Sequence, residues 1–362
     1  MPHSTRRAAL QLDFIIVGGG ISGLATAYAL ASSGHKVRVF EAGRGLDRRA
    51  GGIRIPPNLT RILMEWGLAQ QLQEKGSKYY GYMFYNRSIV RSTMLGKNDE
   101  NDPQWLYGTC VYTSTLHAED RIGDETLREF ATAGSPMWAG TRQNALSYPI
   151  RQDKEYSVHF MLRQQLQDDD PEGWDAPLSP DLLTLDTCES RVKELRQHLK
   201  DVVRVRRRDR PAAKDWIDAS ERVILIGEAA HPVLLCGTHN CSAVVEDAAV
   251  LGSLFSRLRQ QDQIEPLLYA YQDLRQYRAD VLFSFDKLNR TVSQLPPGPE
   301  RDERDQRLRM GQPKHEEIWD ENALAIQWAG ISEIWGVQRI RRRGRLVGAL
   351  GPAARAVQVR RW

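Results

Sequence analysis

The chain has 362 residues, of which 41% are hydrophobic and 27% charged, with a formal net charge of +4. That length buries a sizeable core in one large or two intimate domains, and so small a net charge implies no polyanion-binding surface, so nucleic acid is not an expected partner. Four cysteines make no disulfide framework, which suits the cytoplasm; the short basic start lacks the apolar core of a signal peptide, and without a run of about twenty apolar residues no stable membrane insertion is expected.

Residues 13–17 are a short apolar, β-branched run, residues 18–23 supply G-x-G-x-x-G, and residues 24–33 carry apolar residues at helical spacing. Strand, tight turn and helix are predicted, then a second strand over 37–40 that ends in Glu41. Gly18 turns the chain sharply out of the strand, Gly20 has no Cβ to hold a pyrophosphate away, and Gly23 lets the helix lie close on the sheet. The phosphates would meet free backbone N–H groups and the positive end of the helix dipole. Glu41 can accept hydrogen bonds from both ribose hydroxyls and repels a 2′-phosphate, so FAD or NAD is expected rather than NADP.

A glycine-rich loop leads to Pro56-Pro57 and a helix with Asn58 as the expected N-cap, an apolar face of Leu59, Ile62, Leu63 and Trp66, and Gly67 at its end. Residues 79–90 read as a hairpin turning near Asn86-Arg87, and residues 95–103 as a polar connection. Segments 106–115 and 137–160 read as extended, which predicts a sheet-rich middle domain. Asp168 to Asp170 read as a solvated loop, because adjacent carboxylates repel, and the basic run 204–210 as a solvated strand or loop. Residues 222–227 form an uninterrupted apolar run of the kind buried in a parallel sheet, followed by Gly-Glu-Ala-Ala-His-Pro and a helix expected to begin near Glu246 with acids in its first turn. Residues 267–288 continue helical, and their tyrosines read as core. Residues 295–312 read as a mobile linker, residues 318–334 as a last helix, and the basic end of the chain as loosely docked.

His231, Cys236, His239 and Cys241 offer four ligands in one short segment, but their irregular gaps are not those of a structural zinc site, and no metal is expected. No G-x-S-x-G, H-E-x-x-H or P-loop motif occurs, which removes the commonest hydrolase and phosphotransferase readings.

Three stretches, GGGISGLATAYALASSGHKVRVFE, RAGGIRIPPNLTRILMEWGL and RVILIGEAAHPVLLCGTHNCSAVVEDAAVLG, together resemble the FAD-dependent aromatic hydroxylases, especially salicylate hydroxylase-like flavoprotein monooxygenases. The resemblance implies an α/β fold: a Rossmann-like FAD-binding domain with an inserted β-sheet substrate domain and C-terminal helices. It divides the chain into the first part of the FAD-binding domain (1–95), a sheet-rich substrate domain (104–215), the second part of the FAD-binding domain with its helix (216–290), and a linker and tail (291–362). It implies that Gly18, Gly20, Gly23 and Glu41 bind the ADP half of FAD, that Gly51 and Gly52 lie against the cofactor, that Glu228 takes the ribityl-binding acid position, that the helix after it faces the flavin ring, that Cys241 is cofactor-binding, and that Tyr148 is a catalytic pocket tyrosine beside a small aromatic substrate. NAD(P)H would reduce the flavin and dioxygen would supply the inserted oxygen atom. The later Gly-Glu-Ala-Ala-His-Pro motif selects FAD over NAD.

The chain also departs from that family. No Asp-Gly dipeptide occurs anywhere, and the polar stretch 95–103 stands where a helix and further strands are expected, so the chain reads as internally shortened. Thr113 lies near the place of an expected arginine. Glu228 replaces an aspartate, Leu235 a proline, and His239-Asn240 a Gln-Gly pair that lets backbone amides approach the ring; added Cβ atoms there are expected to push the ring away or close the pocket. Beside the hydroxylase reading stand a catalytically impaired or non-catalytic ligand-binding relative, an NAD-dependent dehydrogenase sharing only the first motif, and an incomplete version of a longer product.

Overall fold

The computed structural model describes residues 6–43, 45, 52–77, 82–85, 109–118, 135–140, 143–163, 176–183, 185, 190–199, 201–206, 212–231, 233–234 and 236–310. Strand β1 (Asp13–Val17), helix α1 (Ile21–Ser32) and strand β2 (Lys36–Phe40) form the expected unit, with β1 and β2 paired in parallel. The helix ends where Gly34 takes a left-handed φ of 95°, a conformation that costs glycine least. Helices α2 (Pro57–Glu65) and α3 (Ala69–Lys75) follow.

A seven-stranded sheet holds β3 (Tyr82–Tyr85), β4 (Thr109–His117), β5 (Ser135–Gly140), β6 (Gln143–Ile150), β7 (Glu155–Arg163), β8 (Ala176–Leu178) and β9 (Val202–Arg206), in the order β3-β5-β6-β7-β4-β9-β8. All pairs are antiparallel except β3 with β5. The expected extended segment 137–160 is therefore parts of three strands, broken near Gly140 and by the left-handed turn at Arg151, Gln152 and Asp153. One face of this sheet buries Trp138, Phe160 and Val158 against helix α4 (Ser190–Gln197) through Val192 and Leu195. The second half of the 79–90 hairpin, Asp168 to Asp170, most of 204–210 and the elements expected beyond residue 310 lie outside the described residues.

Helix α5 (Asn240–Phe255) packs on α1, and the 30-residue α6 (Ile264–Ser293) packs on α5. A second core joins Leu30, Trp216, Leu251, Phe255 and Tyr271. Of the tyrosines read as core, Tyr271 is fully buried, whereas Tyr269 and Tyr277 are exposed.

Four local expectations are corrected. Residues 222–226 do not join a parallel sheet: the Asp218 carboxylate accepts hydrogen bonds from the amides of Ser220, Arg222 and Val223, and this turn folds the segment back into an isolated antiparallel bridge, Ile217 with Ile224. The Ser220 hydroxyl, with those amides, holds the Asp218 carboxyl down to about 2. Helix α5 starts at Asn240, so Glu246 and Asp247 sit in its buried middle rather than in its first turn. Asn58 is not the N-cap of α2, a place taken by Pro56; its amide donates to Glu246 Oε1 at 2.9 Å. The polar stretch read as a linker contains helix α7 (Pro299–Met310), because Pro299 suits a first helical position and Glu300 and Asp302 favour the positive helix end.

The two-stranded sheet leaves apolar side chains in solvent: Ile15 is 60% exposed, Val17 88% and Phe40 55%. Among the described residues β1 pairs only with β2.

The contact of α1 with α5 depends on Gly252, where an added Cβ would fall 2.7 Å from Ala29 Cβ and 2.9 Å from Ala29 O. Gly252→Val should force these helices apart and lower the unfolding free energy by about 1–3 kcal/mol, measured by urea denaturation.

Candidate active site

Three clusters lie around the junction of α1, α5 and the sheet. The first is the glycine turn. Gly18 takes φ 106°, and a Cβ added at Gly18 or Gly20 would meet nothing within 4 Å, which leaves open space over the start of α1. No side chain caps that helix start. Gly23 allows no Cβ, since one would lie 2.0 Å from Gly18 O. The Glu41 carboxylate accepts hydrogen bonds from Gly19 N at 2.6 Å and Gly43 N at 2.9 Å; the Gly43 amide first, then Gly19, holds its pKa down, so the group is an anion at neutral pH. These features fit the ADP half of FAD: space for phosphates, uncapped amides and an acid beside them.

The second cluster anchors the turn that carries Glu228. Gly227, with φ 57°, presses on α1 so closely that a Cβ would meet Ser22 Oγ at 2.4 Å. The exposed Glu228 thereby adjoins the glycine turn. Asp247 of α5 holds this turn, accepting from Gly227 N at 3.2 Å, while His231 Nε2 lies 2.8 Å from the same oxygen. Arg275 of α6 donates Nε to Asp247 at 2.7 Å and an Nη to Glu246 at 2.9 Å, and Arg278 donates to both Glu246 oxygens at 3.1 Å. Burial pushes both carboxyls up, but Arg275, helped by His231 at Asp247 and by Arg278 and Asn58 at Glu246, overrides it and leaves both pKa values below their ordinary range.

The third cluster holds Tyr148. Its hydroxyl donates to Gly52 O at 2.7 Å, so it receives the Nε2–H of His159, at 2.9 Å. His159 Nδ1 is then the acceptor for the Cys236 thiol at 3.3 Å. Ser157 Oγ accepts from Gly52 N at 2.7 Å and lies 2.8 Å from His159 Nε2. The Arg54 guanidinium sits 5.8 Å above the Tyr148 ring and donates to Cys236 O. Burial first, and then the Arg54 charge, pushes the His159 pKa down to about 3, so its ring is neutral.

The structure thus brings Gly18, Gly20, Gly23 and Glu41 to one cradle, packs the turn that carries Glu228 on Ser22, and joins Gly52 to Tyr148 in another cluster. Gly51 and Leu235 lie outside the described residues. Cys241, in the first turn of α5, has its thiol raised to about 11, chiefly by burial. Thr113 sits across the β4–β7 pair from His159. His231, Cys236 and His239 point to different partners, Asp247, His159 and Asp286. His159, Arg275, Arg278 and Asp286 were missed by the sequence reading; only the two arginines carried a signal, three residues apart on a helix with two acids to match.

At the start of α5, the helix that the resemblance sets against the flavin ring, two amides are already taken. The amides of Thr238 and His239 donate to the Asp286 carboxylate, at 3.3 and 3.1 Å, and His239 Nδ1 lies 2.9 Å from it.

A glycine-turn βαβ unit with a distant acid-bearing turn packed on its helix, beside a mostly antiparallel sheet, is the arrangement of a dinucleotide-binding fold. The family described as FAD dependent oxidoreductase matches residues 13–61. The chain is 21% identical over 403 residues to the FAD-dependent monooxygenase OpS4 of Beauveria bassiana (strain ARSEF 2860), with 88% of this chain and 92% of that protein covered. It is 24% identical over 367 residues to 3-amino-4-hydroxybenzoate 2-monooxygenase PtmB3 of Streptomyces platensis, covering 81% and 91%. A salicylate hydroxylase substrate complex superposes with a TM-score of 0.62 at 17% identity, over 92% of this chain and 99% of that one. The chain is therefore similar in sequence to FAD-dependent monooxygenases and shares the fold of the hydroxylase structure. An alignment of 403 residues that uses 88% of a 362-residue chain places gaps in this chain, in keeping with internal shortening.

The neutral His159 predicts a pH effect. The unfolded chain takes a proton on this residue below about pH 6.5, and the folded chain only near 3, so the stabilisation is complete above the first value and is lost as pH falls towards the second. Urea denaturation between pH 7 and 4 should show His159→Gln losing about one proton from the pH slope of the wild type.

Proposed function

We propose that this chain is an FAD-dependent monooxygenase that hydroxylates a small, electron-rich aromatic or polyketide-like substrate with NAD(P)H and dioxygen. The observation that carries this reading is the packing of the Glu228-bearing turn on Ser22, which sets an acid from a distant part of the chain beside the glycine turn, where the ribityl half of a flavin dinucleotide would find it. In this reading residues 1–95 and 216–290 make the cofactor domain, and 104–215 the inserted substrate domain. Among the described residues no helix is long and apolar enough to cross a membrane; we place the protein in the cytoplasm, where the nicotinamide reductant is at hand.

When bound, FAD supplies the redox chemistry, by which one oxygen atom of dioxygen enters the ring as a hydroxyl and the other leaves as water, with NAD(P)H oxidised. The chain's own residues bind and orient. Gly18, Gly20 and Gly23 shape the phosphate cradle, and Glu41 takes the adenosine ribose. Glu228 takes the ribityl chain, while Gly52 and Cys241 flank the cofactor together with Gly51. Tyr148 is the catalytic candidate on the substrate side, its hydroxyl direction fixed by Gly52 O and His159. A second reading, a ligand-binding relative without turnover, is favoured by the Asp286 hold on the start of α5.

The purified protein should show flavin absorbance or regain it with added FAD, and should oxidise NAD(P)H faster when a suitable phenol is present. A protein that stays colourless after incubation with FAD would remove the monooxygenase reading. Flavin bands without phenol-stimulated NAD(P)H oxidation would favour the non-catalytic one.

A further inference from the structure

The α5 start is held by a side chain from another helix. Thr238 N and His239 N both donate to the Asp286 carboxylate, at 3.3 and 3.1 Å, and the His239 ring nitrogen adds a third contact at 2.9 Å. The contact is enclosed, with the His239 side chain 1% and the Asp286 side chain 6% exposed. Phe285, the neighbour of Asp286 on α6, meets the His239 ring edge-on at 5.5 Å.

The backbone is bent to make this contact. Cys236 takes a left-handed φ of 58°, unusual for a residue with a Cβ. Gly237 follows, where a Cβ would lie 2.9 Å from the backbone Leu234 O and would displace Asn240 Oδ1 and Asp286 Oδ2, at 2.5 and 2.6 Å. Asn240 in turn donates to Leu234 O at 2.6 Å. Residues 236–240 thus lie close around the Asp286 carboxylate, and the amides of Thr238 and His239 face it.

We infer that Asp286 determines how tightly this chain holds the ring end of a flavin: it occupies two amides at the start of α5, the helix that the resemblance sets against the ring, so the ring gains their hold only by displacing it. The inference rests on the FAD-binding reading above, and concerns one end of the cofactor only. Glu41 is held by Gly19 and Gly43, and Asp286 by Thr238 and His239, so the inference predicts no effect on the ADP end.

ADP and FAD separate the two ends. Binding of each to the full chain is measured by titration calorimetry, for the wild type and for Asp286→Asn, which keeps the side-chain shape and removes the charge. The wild type should bind the two ligands within about threefold of each other, because the ring adds little. Asp286→Asn should bind ADP as the wild type does and FAD about tenfold more tightly, the size expected for freeing hydrogen bonds held by a charged group. An FAD-to-ADP ratio unchanged by the substitution would overturn the inference, and so would a wild type that binds FAD about a hundredfold tighter than ADP. Should Asp286→Asn fail to fold, as judged by circular dichroism, Asp286→Ser and the wild-type ratio still decide. Absence of ADP and FAD binding in every form would overturn the FAD reading itself, and this inference with it.

Discussion

A buried carboxylate must be paired, and the pairing of Asp247 is the constraint on which the site depends. Its side chain is fully enclosed. One oxygen holds the Gly227 amide and faces His231, and the other takes Arg275. Three segments far apart in sequence, the Glu228 turn, α5 and α6, are thereby fixed by one group. Glu246 extends the arrangement to α2 through Asn58 and back to α6 through Arg278. Loss of any one partner would strand charge in a dry interior, so the geometry of the turn beside the glycine loop is specified by electrostatics as much as by packing.

What could be read in the sequence was what local pattern controls. The βαβ unit declares itself because its glycines, helical period and terminal acid lie within about thirty residues, each with a physical role at its own position. The seven-stranded sheet was visible as extended character, although its strand breaks were not. Errors arose where a distant partner or a single side chain overrode the local pattern. The apolar run 222–226 looks like a buried parallel strand, yet Asp218 captures its amides and turns it back. Glu246 and Asp247 look like acids at a helix start, but Arg275 and Arg278 draw them into the interior. Residues 299–310 look disordered by composition, yet proline and acids at the start suit a helix. Asp286 and His159 had no local signal at all, because their roles come from contacts across 47 and 77 residues of sequence.

The candidate cofactor site is uneven for the same reason. Its ADP end is built from neighbours in sequence and has the open glycine cradle that a pyrophosphate requires. The other end is built from long-range contacts, where changes at one helix alter what another can offer. Tyr148 shows the same dependence: its hydroxyl is directed by Gly52 and His159, from a loop and a neighbouring strand, so the pocket side of the sheet and the cofactor loop are mechanically joined.

The bare apolar face of the two-stranded sheet has a consequence of another kind. Ile15, Val17 and Phe40 stand in water in the folded chain, on a strand that pairs on one side only among the described residues. Unsatisfied strand edges and contiguous apolar surface are templates for edge-to-edge addition. Along such an edge, beside the glycine turn, association of folded chains would rise with their concentration.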